Sequence, residues 1–129
     1  MFENAEVIYS YSRAKALEDG VLVDLNVVSN VPREKYKYPM ACTDTVWNII
    51  EMAVKSEKFC NDLDGILWDI MHMSLHMFKE IDPTTRIFPV IITVADQEED
   101  PEKTYNMKLV VGPGDTAEPV ITLMMDYED

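Results

Sequence analysis

The sequence is short of cations, cysteine, histidine and long apolar runs, and each shortage removes a class of function. Eleven Lys and Arg stand against 24 Asp and Glu, a formal net charge of -13 with a pI near 4.4. Nucleic acids and anionic membranes are bound by clustered cations that displace counterions, so a chain this acidic is a general binder of neither. No apolar run approaches the roughly 18–20 residues that a membrane-crossing helix needs. The opening Met-Phe-Glu-Asn-Ala-Glu carries acids where a secretory signal places basic residues, which points to a cytoplasmic protein. The two cysteines, Cys42 and Cys60, are too few for a disulfide framework and lack C-x-x-C spacing. Their apolar neighbours suggest reduced core thiols, although the sequence leaves a bridge between them open. Internal repeats and low-complexity tracts are also missing.

What is present suffices for a packed core. The 129 residues are 47% hydrophobic and 27% charged, the composition and length of a single domain spanning 1–129. The acidity is unevenly spread. Residues 13–58 hold seven basic and seven acidic side chains, whereas residues 59–129 hold four and fifteen, a net of -11. Two blocks are densest: Asp96, Glu98, Glu99, Asp100 and Glu102, and the terminal Asp126, Glu128 and Asp129. Charge runs are ordinarily solvated loops and tails; the sharper reading is a negative surface made to meet something positive.

Local signals outline an α+β chain. Val7, Ile8 and Tyr9 suggest a short strand or anchoring segment. Ser12 reads as the N-cap of a short helix over 13–18, stopped at Asp19-Gly20. A β-rich run follows over 21–25, and then an extended connection over 26–39 with two prolines. Thr43-Asp44 is a strong helix start, a hydroxyl cap with an acid in the first turn, and Val46, Ile49, Ile50, Ala53 and Val54 keep helical spacing. The same period predicts a second helix over 62–81, with Leu63, Ile66, Leu67, Ile70, Met71, Ser74, Met77, Phe78 and Ile81 on its apolar stripe and Asp82-Pro83 ending it. Strands are expected over 86–95, where Pro89 signals an edge or bulge, and over 105–111 and 118–125, the last two joined by the tight turn Gly112-Pro113-Gly114-Asp115. The expected architecture is two main helices packed on a small antiparallel sheet built largely from C-terminal hairpins.

Each chemical candidate has an ordinary structural explanation beside it. His72 and His76 stand i,i+4 opposite the apolar stripe, with Asp69 and Glu80 on the same predicted face. Together Asp69, His72, His76 and Glu80 could offer nitrogen and oxygen ligands to one ion. A plain solvated helix face accounts for them equally, because one helix supplies two or three ligands and no other cluster completes the set. Met71 and Met77 belong to the core stripe, and Met73 borders the polar face. Trp47 and Trp68 flank their stripes, as residues packing helix on helix do. Arg33, Lys35 and Lys37 interleave with Tyr36 and Tyr38, a basic-aromatic patch able to neutralise and stack on a nucleotide, though only locally in so negative a field. No serine or cysteine stands in a nucleophile motif, no catalytic residue is indicated, and no cofactor is expected.

Several segments, in order, carry a resemblance: Ile8-Tyr9-Ser10-Tyr11-Ser12-Arg13-Ala14, Leu17-Glu18-Asp19-Gly20-Val21-Leu22-Val23-Asp24, Lys37-Tyr38-Pro39, Thr43 with Val46-Trp47, Leu67-Trp68-Asp69, and Gly112-Pro113-Gly114-Asp115 with Glu118-Pro119-Val120-Ile121-Thr122. In these the chain resembles a family of small uncharacterised proteins, a domain of unknown function, encoded by phages, plasmids and other mobile elements. The acidic block at 96–102 and the histidine pair fall outside the shared pattern. The resemblance carries over no functional residue. It implies a setting in which genes of this size often encode inhibitors of host defence.

Two functions follow as expectations. The first is a non-enzymatic interaction protein whose carboxylates imitate phosphates and occupy a basic site on a host or defence protein, such as a CRISPR effector. It would use Asp96, Glu98, Glu99, Asp100 and Glu102, with Asp62, Asp69 and Glu80 as a second patch. The alternative is a small-ligand or metal-binding protein, for instance one that sequesters a nucleotide signal, using Arg33, Lys35, Tyr36 and Lys37 or the histidine pair. Self-association through Met and Trp surfaces is a third possibility.

Overall fold

The computed structural model describes residues 12–56, 61–93 and 102–128. Its first element, α1 (Arg13–Asp19), begins and ends as its sequence dictates. Ser12 Oγ accepts a hydrogen bond from the Lys15 amide at 2.9 Å. Gly20, at φ 79°, takes the left-handed turn that closes the helix and that a side chain would strain. Then come β1 (Leu22–Asp24), α2 (Leu25–Val28) and α3 (Val31–Lys35). These two short helices replace the extended connection expected over 26–39. Local capping favours them: Asp24 accepts from the Asn26 amide and Ser29 Oγ from the Val31 amide. Pro32 sits in the first turn of α3, where a missing N–H costs nothing.

The strand β2 (Met40–Thr43) leads into α4 (Asp44–Val54), where Thr43 caps the Val46 amide and Asp44 occupies the first turn, as expected. The helix α5 (Leu63–His76) starts from Asp62, whose carboxylate accepts from the Gly65 amide at 2.9 Å. A Cβ on residue 65 would push against that carboxylate, so glycine leaves room for the cap. The chain ends in β3 (Lys79–Asp82), β4 (Thr85–Thr93), β5 (Glu102–Pro113) and β6 (Pro119–Met125).

The class is α+β, with five helices and one six-stranded, mostly antiparallel sheet among the described residues. Its order is β1-β2-β6-β5-β4-β3. The hairpins β3–β4, β4–β5 and β5–β6 form the C-terminal part. Hairpins alone would not have joined the two ends of the chain: β2 pairs with β6 in parallel, Met40 opposite Ile121 and Cys42 opposite Leu123.

Strand alternation then sorts the side chains. Phe88, Val90, Ile92, Met107, Leu109, Ile121, Leu123 and Met125 point to one face and bury against Val46, Ile50 and Ala53 of α4 and Ile66, Leu67, Ile70 and Met71 of α5. Each such side chain, fully buried, contributes about 1.5–3 kcal/mol of transfer free energy. Cys42 lies in this cluster as a free thiol, and burial pushes it up to about 12. It is therefore a neutral core group, while Cys60 lies outside the described residues. Thr122 points to the opposite face of the sheet, where α1 reaches it through Arg13.

Two expectations about α5 need correction. The helix stops at His76, although the apolar period runs on to Ile81. Residues 79–82 pair with β4 instead, around a turn in which Asp82 accepts from both the amide and the hydroxyl of Thr84. Arg86 secures the break. Its guanidinium donates to the Ser74 carbonyl, one of the helix's terminal acceptors, and lies 4.1 Å from the Phe78 ring centre. Met77, Phe78 and Ile81 consequently leave the predicted stripe and are exposed, Met77 by 59%. Glu80 is on β3 opposite Arg86, not on the helix with His72 and His76. The edge expected from Pro89 does exist: β3 covers β4 only as far as Ile87, and Pro89 follows that point, still paired to Asn106 of β5.

Candidate partner-binding face

The outer face of α5 gathers side chains of the kind found at protein interfaces. Trp68, His72 and His76 follow one another every four residues, so one helical face carries all three. The Trp68 and His72 rings stack at 4.8 Å with planes 10° apart, and His72 and His76 lie 4.5 Å apart, tilted by 46°. Lys35 of α3 places its ammonium 5.8 Å from the Trp68 ring centre. Trp68 is nevertheless 44% exposed. It therefore does not pack helix on helix as expected, whereas Trp47 packs against the core. Met73, too, turns to the core rather than to the polar border.

Acidic groups border this row. Asp62, Asp69 and Trp68, with Asn61, Gly65 and Ile66, surround a hollow of about 340 Å³. Asp69 has no hydrogen bond or ion pair among the described residues, and Asp62 uses only one oxygen, for its helix cap. The side of the row nearer β4 is closed by Ile91, Ile92 and Thr93, which share a second hollow with Asn61 and Asp69. Asn61 fastens this junction by donating to the carbonyls of Ala53 and Thr93. The hollow thus has one wall tied by Asn61 and, among the described residues, two carboxylates with unused acceptor capacity.

The other predicted residues divide as follows. Asp96, Glu98, Glu99 and Asp100 lie outside the described residues, and Glu102 begins β5 opposite Thr93. The four proposed metal ligands are not brought together, because Glu80 has left the helix. No group of three or more His, Cys, Asp or Glu side chains is arranged to hold an ion among the described residues. The basic-aromatic patch also splits. Tyr36 turns inward, its hydroxyl 2.7 Å from Ser74 Oγ, and Ser74 donates in turn to the Met71 carbonyl. Lys35 goes to Trp68. Arg33, Lys37 and Tyr38 remain together, around a hollow of about 220 Å³.

One constellation had no signal in local spacing. Arg13 donates to Thr122 Oγ1 at 2.9 Å and to the Ile121 carbonyl at 2.7 Å. Asp115 accepts from the Arg13 and Ala14 amides at 2.7 and 3.0 Å, capping α1 from the distant β5–β6 turn. Burial lowers the Arg13 affinity for its proton, and the nearby Asp24, Asp115 and Glu118 oppose that shift. These residues come from the first, second and last segments of the resemblance, and the structure gives them an architectural task. The chain belongs to DUF6573, a family of unknown function whose model matches residues 1–129. No curated protein and no solved structure gives a match.

Proposed function

We propose that this protein is a non-enzymatic interaction protein that docks a basic partner on the outer face of α5. The observation that carries the reading is Trp68: a large aromatic, 44% exposed, stacked on His72 and bordered by Asp69, unpaired among the described residues, and by Asp62, which holds one amide. Interfaces take most of their energy from such pre-positioned aromatic anchors, and complementary charge around them speeds and orients the encounter. In this reading Trp68 enters a pocket of the partner while Asp62 and Asp69 receive its Lys or Arg side chains. The net charge of -13 adds long-range attraction, and the acidic block at Asp96, Glu98, Glu99, Asp100 and Glu102 adds to it. The partner is a nucleic-acid-binding protein, and the mobile-element setting implied by the resemblance makes a defence effector such as a CRISPR nuclease the natural target. The carboxylates then occupy sites that phosphates would otherwise fill.

Capture from host lysate at low and high salt tests this. Wild-type protein should retain a basic protein that duplex DNA displaces and high salt releases. Trp68→Ala should weaken capture by about 2 kcal/mol, roughly 30-fold. Asp62→Asn with Asp69→Asn keeps the helix cap while removing both charges, and should slow association. Undiminished capture by both variants would exclude this face.

A further inference from the structure

A hollow is lined by Arg33, Lys37 and Tyr38, two cations and an aromatic ring in a chain of net charge -13. It is framed by Asp24, Asn26 and Pro39 and measures about 220 Å³. Most described cations are engaged: Arg13 in the α1 junction, Lys15 and Lys55 in helical ion pairs, Arg86 at the end of α5, and Lys108 on the Glu128 carbonyl. Lys35 and Lys103 lie over aromatic rings. Arg33 and Lys37 have neither a hydrogen bond nor an ion pair among the described residues, in a chain with more than twice as many acids as bases. Arg33 and Lys37 share one concavity and are positioned there for an external anion.

The surroundings add a shape and a polarity. Tyr38 is 42% exposed at the rim, open to a planar ring. The frame is fixed: Asp24 accepts from the Asn26 amide at 2.9 Å, and Asn26 Oδ1 accepts from the Met40 amide at 2.6 Å. That leaves one Asp24 oxygen and the Asn26 amide nitrogen without a partner among the described residues, an acceptor and a donor on two residues that line the same hollow. Asp24 does not cancel the two cations alone, since it also acts electrostatically on Arg13 in the adjoining hollow of about 210 Å³, which shares Asp24 and Pro39. Volumes of about 300–1,000 Å³ suit drug-sized ligands, so this smaller space holds one phosphate and one ring and not a dinucleotide.

We infer that the hollow binds a nucleoside monophosphate. Arg33 and Lys37 hold the phosphate, the guanidinium by paired N–H···O bonds and the ammonium as a point charge. Tyr38 stacks on the base, and Asp24 with Asn26 meets the ribose hydroxyls. The site is separate from the α5 face and is independent of the function proposed for it.

Calorimetric titration of the full chain at low ionic strength with AMP, GMP, inorganic phosphate and adenosine is the test. A mononucleotide should bind about tenfold or more tightly than inorganic phosphate, and adenosine should give no heat. Arg33→Ala with Lys37→Ala, both at exposed positions, should weaken mononucleotide binding by at least about tenfold. Tyr38→Ala should bring the nucleotide down to the affinity of inorganic phosphate, and Tyr38→Phe should restore it. Equal affinity for nucleotide and inorganic phosphate would overturn the nucleotide assignment. Absence of binding by either, or full binding by the Arg33 and Lys37 double variant, would overturn the site.

Discussion

The α1 junction and the outer face of α5 are both rich in polar groups, and they spend them in opposite ways. At the junction, Arg13 is committed to Thr122 and Ile121, Asp115 to two backbone amides, and Glu118 to the amide and hydroxyl of Thr116. On α5, Asp69 is unpaired among the described residues, Asp62 holds one amide, and Trp68 keeps much of its surface in water. Saturated hydrogen bonding is how a fold ties distant segments together, because each committed group would be costly to strand. Uncommitted acceptors beside an exposed aromatic contribute little to folding and are available to a second molecule. The contrast separates groups that hold the fold together from groups that the proposed partner would use.

Substitutions can break that contrast. The largest expected effect is on stability at the junction. Arg13→Ala strands two acceptors of a charged donor and should cost about 2 kcal/mol, and Asp115→Ala, which uncaps α1, about 1 kcal/mol. Denaturant unfolding measures both, and neither should alter partner capture. Trp68→Ala should do the reverse, losing capture while lowering stability by no more than about 1 kcal/mol, because the side chain is only partly buried. If Trp68→Ala unfolded the protein instead, the outer face of α5 would be architecture after all.

The smallest effect is with pH. Hydrogen bonds from Thr116, the hydroxyl foremost, hold the Glu118 carboxyl below the usual carboxylate range. A carboxylate with a depressed folded-state pKa stabilises the protein above its unfolded pKa, and that contribution disappears as pH falls through the folded value. Melting temperature followed downward from neutral pH should therefore decline less steeply in Glu118→Gln. Identical profiles would mean that this turn contributes nothing to acid sensitivity.

Much of the framework was legible along the chain. Ser12, Gly20, Thr43-Asp44 and Asp62 mark helix boundaries through contacts within one turn, so a local reading finds them. The period of α5 was equally clear as far as His76, and then misleading. Residues 77–81 continue the helical pattern, yet pairing of Lys79 and Glu80 with β4, together with the bond from Arg86 to Ser74, captures them as strand. That misreading also placed Glu80 beside the histidines. Of the candidate site, Asp62, Asp69 and the histidine row could be read from spacing, and the exposure of Trp68 could not. A residue on the flank of an apolar stripe is covered or open according to which neighbour arrives. α3 brings the Lys35 ammonium to the Trp68 ring and leaves the indole 44% exposed.

The sequence alone therefore determined the class, the starts of α1, α4 and α5, the three C-terminal strands and the sign and imbalance of the charge. Each follows from interactions between near neighbours or from composition. Only the tertiary structure decided the parallel joining of β2 to β6, the capping of α1 by Asp115, the splitting of the basic-aromatic patch and the exposure of Trp68. Those depend on residues up to 109 positions apart, whose meeting is governed by strand pairing and packing across the whole sheet, and no local period encodes it.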